Sequence, residues 1–281
     1  MSETIFSIGG DLPVRRIGYG TMRLTGTPEP DPATAPVWHG PTDRDAAKAV
    51  LRRAVDLGVN LIDTADAYAL GASEELVAEA LYPYPEGLVI ATKVGVARPS
   101  PAEWVPVGHP AYLRQQVELS LRRLRTDRID LLHLHRIDPT VPFAEQIGAL
   151  RRLRDEGKIR HVALSEVGVA ELREASRIVP IAAVQNQYSV SNRIHDEVVD
   201  HAAAHKIAFL AFFPLAMGEH ARAGSAIAEV AARLGATPGQ VALAWLLRRS
   251  PTLIPIPGTT SIAHLAENLA ALDLELPEAE F

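Results

Sequence analysis

The chain contains no cysteine, which excludes a disulfide framework and any thiolate chemistry at a metal or in redox exchange. It also lacks any run near the ~18 uninterrupted apolar residues that a membrane-crossing helix needs. The start, Met1-Ser-Glu-Thr-Ile-Phe-Ser7, has no basic stretch leading into an apolar one, so no export signal is expected and the cytoplasm is the expected location. Positive charge is short too: 28 Lys and Arg against 34 Asp and Glu leave a net charge of −6, with no basic cluster beyond ordinary helix surfaces. Nucleic acids and acidic membranes are bound through such clusters, so neither partner is expected. Linkers, low-complexity tracts and internal repeats are missing as well. The 281 residues are therefore expected to form one domain over 1–281, and 47% hydrophobic residues are enough for a single α/β barrel of roughly 250 residues.

Short apolar runs alternate with longer amphipathic segments, the pattern of βαβ units around a parallel sheet. Strands are expected at Arg16 to Gly20, Asn60 to Asp63, Leu88 to Thr92, Ile129 to Leu134, Ile159 to Leu164, Ala183 to Gln187, Ala208 to Phe212 and Thr252 to Ile256. Helices are expected to start near Asp43, Ser73, Pro110, Phe143, Val169, His195, Ala223 and Ser261, with a further one from Pro238 to Arg249. Thr237-Pro238 reads as an N-cap followed by proline at the first helical position, and Ser73 before Glu74 and Glu75 as another start. Eight such units close into a (β/α)8 barrel more naturally than into an open sheet. Ile5 to Asp11, punctuated by Gly9-Gly10, reads as a hairpin ahead of the first barrel strand. The Pro-rich stretch Pro28 to Pro41 is long enough to cover part of one barrel end, which assigns it a lid-like role.

Three consecutive strands end on reactive side chains. Asn60-Leu-Ile-Asp63-Thr-Ala-Asp66-Ala-Tyr68 breaks from an apolar strand into a loop holding an aspartate and a tyrosine. Leu88-Val-Ile-Ala-Thr-Lys93 closes on lysine, and Ile129-Asp-Leu-Leu-His133-Leu-His135 on histidines of one strand parity. Singly, each has a plain explanation: Asp63 as a turn former, Tyr68 as a loop tyrosine, His133 or His135 as a hydrogen-bonded core residue. Lys93 is harder to explain that way, because lysine is rarely buried without a partner.

Together they form a proton-transfer set. A tyrosine with a reference pKa near 10 is a poor acid at neutral pH unless a neighbouring cation stabilises its phenolate. Lys93 would supply that charge, Asp63 would keep the lysine protonated, and His135 would orient a substrate carbonyl and steady the developing alkoxide. Reduction also needs a hydride source. Gly18-Tyr-Gly20-Thr-Met-Arg23 is not a Rossmann fingerprint, since arginine stands where the third glycine belongs and no helix follows at once. An anion site is expected instead after the last strand, where Gly258-Thr259-Thr260-Ser261 precedes a helix carrying His264 and Asn268. A plain capped helix is the alternative there.

These motifs resemble the aldo-keto reductases, NADPH-dependent carbonyl reductases built on a (β/α)8 barrel. The likeness covers essentially the whole chain: Ile17-Gly-Tyr-Gly-Thr-Met22, the Asp63 to Tyr68 segment, Ser73-Glu-Glu-Leu76, Ile90-Ala-Thr-Lys93, Asp130-Leu-Leu-His-Leu-His-Arg136, Ile159-Arg-His-Val-Ala-Leu-Ser165, Val184-Gln-Asn-Gln-Tyr188 and the Gly258 to Asn268 element. It implies a catalytic tetrad of Asp63, Tyr68, Lys93 and His135, with no metal. It also implies NADPH (NADP+) as cofactor, with NADH as the alternative carrier, and a small carbonyl compound as substrate. Ser165 and Gln185 would hold the nicotinamide carboxamide, Phe212 would stack on the ring, and Gly20, Thr21 and Met22 would line it. Pro214, Leu215, Gly258, Thr259, Ser261, His264, Glu267 and Asn268 would complete the cofactor contacts.

Four positions depart from the family pattern. Glu166 stands where many members have asparagine, Phe212 where tyrosine or tryptophan is common, and Gly258 and His264 where lysine and arginine usually flank the 2′-phosphate. Ala80-Leu-Tyr-Pro-Tyr-Pro85 and Gly235-Ala-Thr-Pro-Gly-Gln-Val-Ala-Leu-Ala-Trp-Leu246 resemble a bacterial subgroup that includes pyridoxal reductases, which makes pyridoxal the leading substrate expectation. The short stretch after Asn268 implies a more open pocket, with Trp38, Trp104 and Phe213 as candidate walls. Two competing readings are a redox-sensing regulatory subunit that binds NADPH with little turnover, and a metal-dependent barrel hydrolase built on His133 and His135. A Schiff-base aldolase using Lys93 is disfavoured because Asp63 would keep the lysine charged.

Overall fold

A computed structural model describes residues 4–25, 37–216, 218 and 224–281. Of the Pro28 to Pro41 loop, residues 28–36 lie outside the described residues, as does Ala223.

The chain opens with the expected hairpin. Strand β1 (Ile5–Ile8) pairs antiparallel with β2 (Leu12–Arg15). Gly9 and Gly10 take φ of 63° and 86°, left-handed values that glycine reaches without strain, in the three-residue connection between Ile8 and Leu12. The hairpin's inner face, Ile8, Leu12 and Val14, packs with Leu61, Val89, Leu131, Ala208 and Ile254 at the base of the barrel interior. Asp11 ties the turn down through Arg160 at 2.8 Å and His161 at 2.6 Å. One end of the barrel is thereby plugged, which leaves the other for a ligand.

Eight parallel strands follow: β3 (Tyr19–Gly20), β4 (Leu61–Asp63), β5 (Val89–Val94), β8 (Ile129–Leu134), β9 (Ile159–Ser165), β10 (Ile181–Gln187), β11 (Ala208–Phe212) and β12 (Leu253–Pro255), paired in that order. A hydrogen bond from Gly18 N–H to Pro255 O at 3.0 Å joins the last strand to the first and closes the curled sheet. The seam is tight: a Cβ on Gly20 would lie 2.9 Å from Ile256 O, so glycine is needed there. The fold is therefore the (β/α)8 barrel with its N-terminal hairpin.

Each strand feeds a helix: α1 (Arg44–Asp56), α2 (Ala72–Leu81), α3 (Pro110–Leu124), α4 (Phe143–Asp155), α5 (Val169–Ser176), α6 (Asp196–His205), α7 (Ala226–Leu234), α8 (Pro238–Arg249) and α9 (Ile262–Ala270). A short antiparallel pair, β6 (Val96–Ala97) with β7 (Val105–Pro106), is inserted between β5 and α3. The helix caps follow local chemistry. Asp43 accepts from Ala46 N at 2.9 Å, and Thr237 with Gln240 forms a capping box ahead of Pro238.

Helix α2 starts beside Ser73 as expected, but the serine does not cap it. Helix α2 begins at Ala72 after Gly71, whose φ is 93°, and the Ser73 hydroxyl instead bonds Thr21 at 2.8 Å and Thr64 at 2.9 Å. Buried polar strand ends claim this serine in place of the helix terminus. The first barrel strand is also shorter than expected, because the Gly18 N–H bonds across the closing seam and Arg16 turns inward to the carbonyls of Leu247, at 2.7 Å, and Leu253.

Candidate active site

Register alone brings the expected residues to one rim. Gly20 pairs with Asp63, Asp63 with Ala91, Lys93 with His133, and Ser165 with Gln185. All are at or near the carboxyl ends of their strands, the end where barrels carry their chemistry. His135 lies just past β8, and its N–H donates to Val94 O at 2.8 Å.

At the centre is a buried ion pair. Lys93 Nζ donates to Asp63 Oδ2 at 2.6 Å and to Thr64 O at 2.8 Å, and both side chains are almost fully enclosed. Gln185 Nε2 donates to the other carboxylate oxygen, Oδ1, at 2.8 Å, so Asp63 is satisfied on both sides. Burial works against the lysine's charge, but the Asp63 carboxylate and the Tyr68 hydroxyl outweigh it and hold Lys93 above its ordinary value. The ammonium is 5.0 Å from the centre of the Tyr68 ring.

Burial pushes the Tyr68 phenol up, and the charge of Lys93 only partly pulls it back. The tyrosine is thus a protonated hydroxyl at neutral pH beside a cation ready to receive its developing negative charge. Burial also lowers His135 well below the usual histidine range, and the positive charges of Lys93 and Arg136 add to that. His133 is lowered to about 4, chiefly by burial. Both imidazoles are therefore neutral at pH 7. The rings of Tyr68, His135 and Trp104 meet edge to face at centroid separations of 6.0 to 6.4 Å.

A cleft of about 1010 Å³ opens over this group. Its lining includes Asp63, Tyr68 and His135 of the tetrad, and Gly20, Met22, Ser165, Gln185, Phe212, Pro214, Leu215, Gly258 and His264 of the expected cofactor set. Lys93 stands behind, against Asp63. Five other expected residues are not on the lining. Thr21 turns its hydroxyl onto Ser73, and Thr259 accepts from Ser261 N at 3.0 Å. Ser261 caps α9 through His264 N at 3.3 Å, and Glu267 accepts from Thr237 at 2.5 Å, linking α8 and α9. Asn268 is buried within α9. Of the candidate walls, Trp104 and Phe213 line the cleft, whereas Trp38 stacks on Arg98. No residue of 271–281 lines it; Phe281 packs on Trp245 with ring centres 5.6 Å apart.

Three arginines at the cleft were not singled out from the sequence. Arg98 donates to the carbonyls of Val37 at 3.1 Å, Ala67 at 3.4 Å, Pro101 at 2.7 Å and Glu103 at 2.9 Å, and its guanidinium lies 3.7 Å from the Trp104 ring centre. It fastens the loop between β6 and β7 to the chain leading into α1 and sets the Trp104 wall. Arg136 reaches Ser165, and Arg23 lines the cleft next to Gly258. In sequence, only their places beside the quoted motifs mark Arg23 and Arg136. Arg98 carries no local signal, because its partners are distant backbone oxygens.

The lining suits an anion. Arg23, Arg136 and His264 face the cleft, while Asp63, the one carboxylate among the described lining residues, is already paired with Lys93. Among the described residues no group of three or more His, Cys, Asp or Glu side chains is placed to hold a metal ion. No helix among them is long and apolar enough to cross a membrane.

The family model for the aldo/keto reductases matches residues 16–281. The chain belongs to the aldo/keto reductase family. It is 42% identical over 284 residues to pyridoxine 4-dehydrogenase of Escherichia coli, covering 99% of this chain and 96% of that one. It is 44% identical over 272 residues to an uncharacterized oxidoreductase of Schizosaccharomyces pombe, covering 97% and 86%. Among solved structures, an aldo/keto reductase from Klebsiella pneumoniae in complex with NADP and acetate superposes with a TM-score of 0.81 at 30% identity, over 99% of this chain and 93% of that one. As a member of this family the chain is an oxidoreductase.

Proposed function

We propose that this aldo/keto reductase uses NADPH to reduce a small aldehyde or ketone to the alcohol, with Tyr68 as proton donor and pyridoxal or a related aromatic aldehyde as the leading substrate. The observation that carries the reading is the buried Asp63–Lys93 pair placed against Tyr68 at the mouth of the cleft. The likeness to pyridoxine 4-dehydrogenase supports the choice of substrate, and the NADP-bound relative supports the cofactor.

The side chains present fit such a cofactor. Ser165 and Gln185 form a donor and acceptor pair for a carboxamide, and the cationic lining matches a phosphorylated dinucleotide. Bound there, the dihydronicotinamide would supply the hydride. The protein's own part is acid catalysis and electrostatics. Tyr68 passes its hydroxyl proton to the nascent alkoxide, and Lys93 lowers the cost of the phenolate left behind. Asp63 keeps Lys93 charged and fixed. Neutral His135 offers an N–H to the carbonyl oxygen, and Trp104 and Phe213 give a flat apolar wall for an aromatic substrate.

These protonation states predict the pH dependence. The histidines titrate below neutrality and Tyr68 above its ordinary value, so kcat for carbonyl reduction is expected to be level between about pH 6 and pH 9. In the reverse direction, alcohol oxidation needs the deprotonated tyrosine and should rise steadily with pH. Steady-state profiles in both directions check this; a step near pH 6.5 in the reductive direction would mean that a histidine ionises during turnover.

Cofactor preference offers a separate check. His264 lines the cleft at the place where the family pattern has a permanent cation, and its imidazole is a hydrogen-bond donor for a 2′-phosphate. His264→Ala should therefore narrow the ratio of NADPH to NADH affinity, and His264→Arg should widen it. A ratio that neither substitution moves would mean that His264 does not contact the 2′-phosphate.

The function itself is tested by following NADPH oxidation at 340 nm with pyridoxal, other aromatic and aliphatic aldehydes, and small ketones, with NADH in parallel. A single aldehyde with kcat/KM far above the rest names the substrate. Absence of turnover across the panel, with NADPH still bound tightly, would favour the regulatory-subunit reading instead.

A further inference from the structure

The pairing of Ser165 and Gln185 leaves one question of chemistry open: what fixes the direction of the serine's proton? Gln185 is settled by its neighbour. Its amide nitrogen faces the Asp63 carboxylate at 2.8 Å, so its Oε1 remains as an acceptor. Glu166 adds no donor to the group. It sits at φ 56° just after β9, and its Oε1 accepts from Gln187 N at 2.7 Å, which binds the side chain to β10. A carboxamide needs a donor for its carbonyl as well as an acceptor for its NH2; Gln185 Nε2 keeps a second hydrogen, but that nitrogen is held at Asp63 and Oε1 is the atom left to meet the NH2, so the donor for the carbonyl is assigned to the Ser165 hydroxyl.

Arg136 decides which way that hydroxyl points. Its Nη1 carries two hydrogens. One goes to His135 O at 2.6 Å and the other to Ser165 Oγ at 3.1 Å. A guanidinium only donates, so the Ser165 oxygen must accept, and its own hydrogen is directed elsewhere. The charge on Arg136 also polarises the hydroxyl and makes it a better donor. Ser165 is almost fully buried, so water does not readily substitute for this partner.

We propose that Arg136 is a positioning residue for the nicotinamide end of the site: it holds Ser165 Oγ as an acceptor and so commits the serine proton to the carboxamide carbonyl. The proposal builds on the assignment of Ser165 and Gln185 to the carboxamide. It gives this chain a donor arrangement in which an arginine-polarised serine carries the part that an asparagine at position 166 would share.

The test is a binding cycle that needs no turnover. Calorimetric titration with NADP+ is made on the wild-type protein, Arg136→Met, Ser165→Ala and the double variant, with 2′,5′-ADP titrated in parallel as a probe of the adenosine end alone. Each single variant is expected to weaken NADP+ binding on the order of tenfold. The double variant should be no weaker than Ser165→Ala, and 2′,5′-ADP should bind all four alike. Additive losses would show that Arg136 acts independently of Ser165, through the His135 backbone or through the charge it adds to the cleft, and would overturn the proposal. Unchanged binding in Arg136→Met beside a loss in Ser165→Ala would also overturn it while leaving the carboxamide assignment standing. If neither single variant weakens NADP+ binding, the carboxamide assignment itself is wrong and the proposal falls with it. The same cycle with Arg136→Gln covers the case in which methionine prevents folding, because the coupling to Ser165 is the quantity read in both.

Discussion

Tyr68→Phe is expected to lower kcat for carbonyl reduction by about a hundred- to ten-thousandfold, the range over which a positioned general acid contributes. The substitution removes one oxygen and leaves the ring. That ring packs edge to face on Trp104 and His135 at 6.4 and 6.0 Å, so the cleft wall should survive. NADPH binding should be nearly unchanged, because the lost group acts on the substrate oxygen. Stopped-flow measurement of the hydride step with calorimetric measurement of NADPH affinity separates the two. Retained turnover would mean that another group, with His135 the nearest candidate, supplies the proton. The neutral state of His135 argues against that, since an imidazole held well below its usual pKa has only a tightly held proton to offer.

The second large effect is on stability as well as rate. Lys93→Met leaves the Asp63 carboxylate buried without its cation, and losing one partner of a buried pair costs about 3–5 kcal/mol. For a chain of this size that corresponds to a fall in melting temperature on the order of 10 °C. Activity should be lost with it, because the Tyr68 phenolate loses its stabilising charge. Changing both partners, as Asp63→Leu with Lys93→Met, should recover much of the stability, since no charge then remains to be desolvated, yet restore none of the activity. Thermal unfolding of the single and double variants tests this directly. A single variant as stable as wild type would mean that water reaches the pair and that its charges are not held dry.

The grouping of Asp63, Tyr68, Lys93 and His135 at one rim was legible in the sequence and its supports were not, which follows from the range of the interactions. Asp63 ends its apolar strand and Lys93 and His133 stand one residue before the ends of theirs, and a charged or titratable group at such a place stands out in the sequence. Strand parity then aligns them, as the register of Lys93 opposite His133 shows. The hairpin was equally plain, because Gly9 and Gly10 serve a turn whose conformation few other residues adopt. Ser73 marked the start of α2, but the partners of its hydroxyl were hidden for the opposite reason. Its local context is that of a helix cap, while its partners, Thr21 and Thr64, come from other rim loops. Arg98 draws on four backbone carbonyls, and no side-chain pattern announces a backbone acceptor. For Glu166 the departure from the family pattern was visible, but its consequence, a side chain tied to Gln187 N, depends on the fold.

The proposed function requires hydride to pass directly from the cofactor to the carbonyl carbon, a transfer that isotopic labelling reads out. The protein would be run with NADPH deuterated at the transferable C4 position and an active aldehyde in ordinary water, and the alcohol analysed by mass spectrometry and NMR. One deuterium is expected on the carbinol carbon of every product molecule, with the hydroxyl proton drawn from solvent by way of Tyr68. Deuterium that stays in the cofactor or washes out into water would contradict direct transfer.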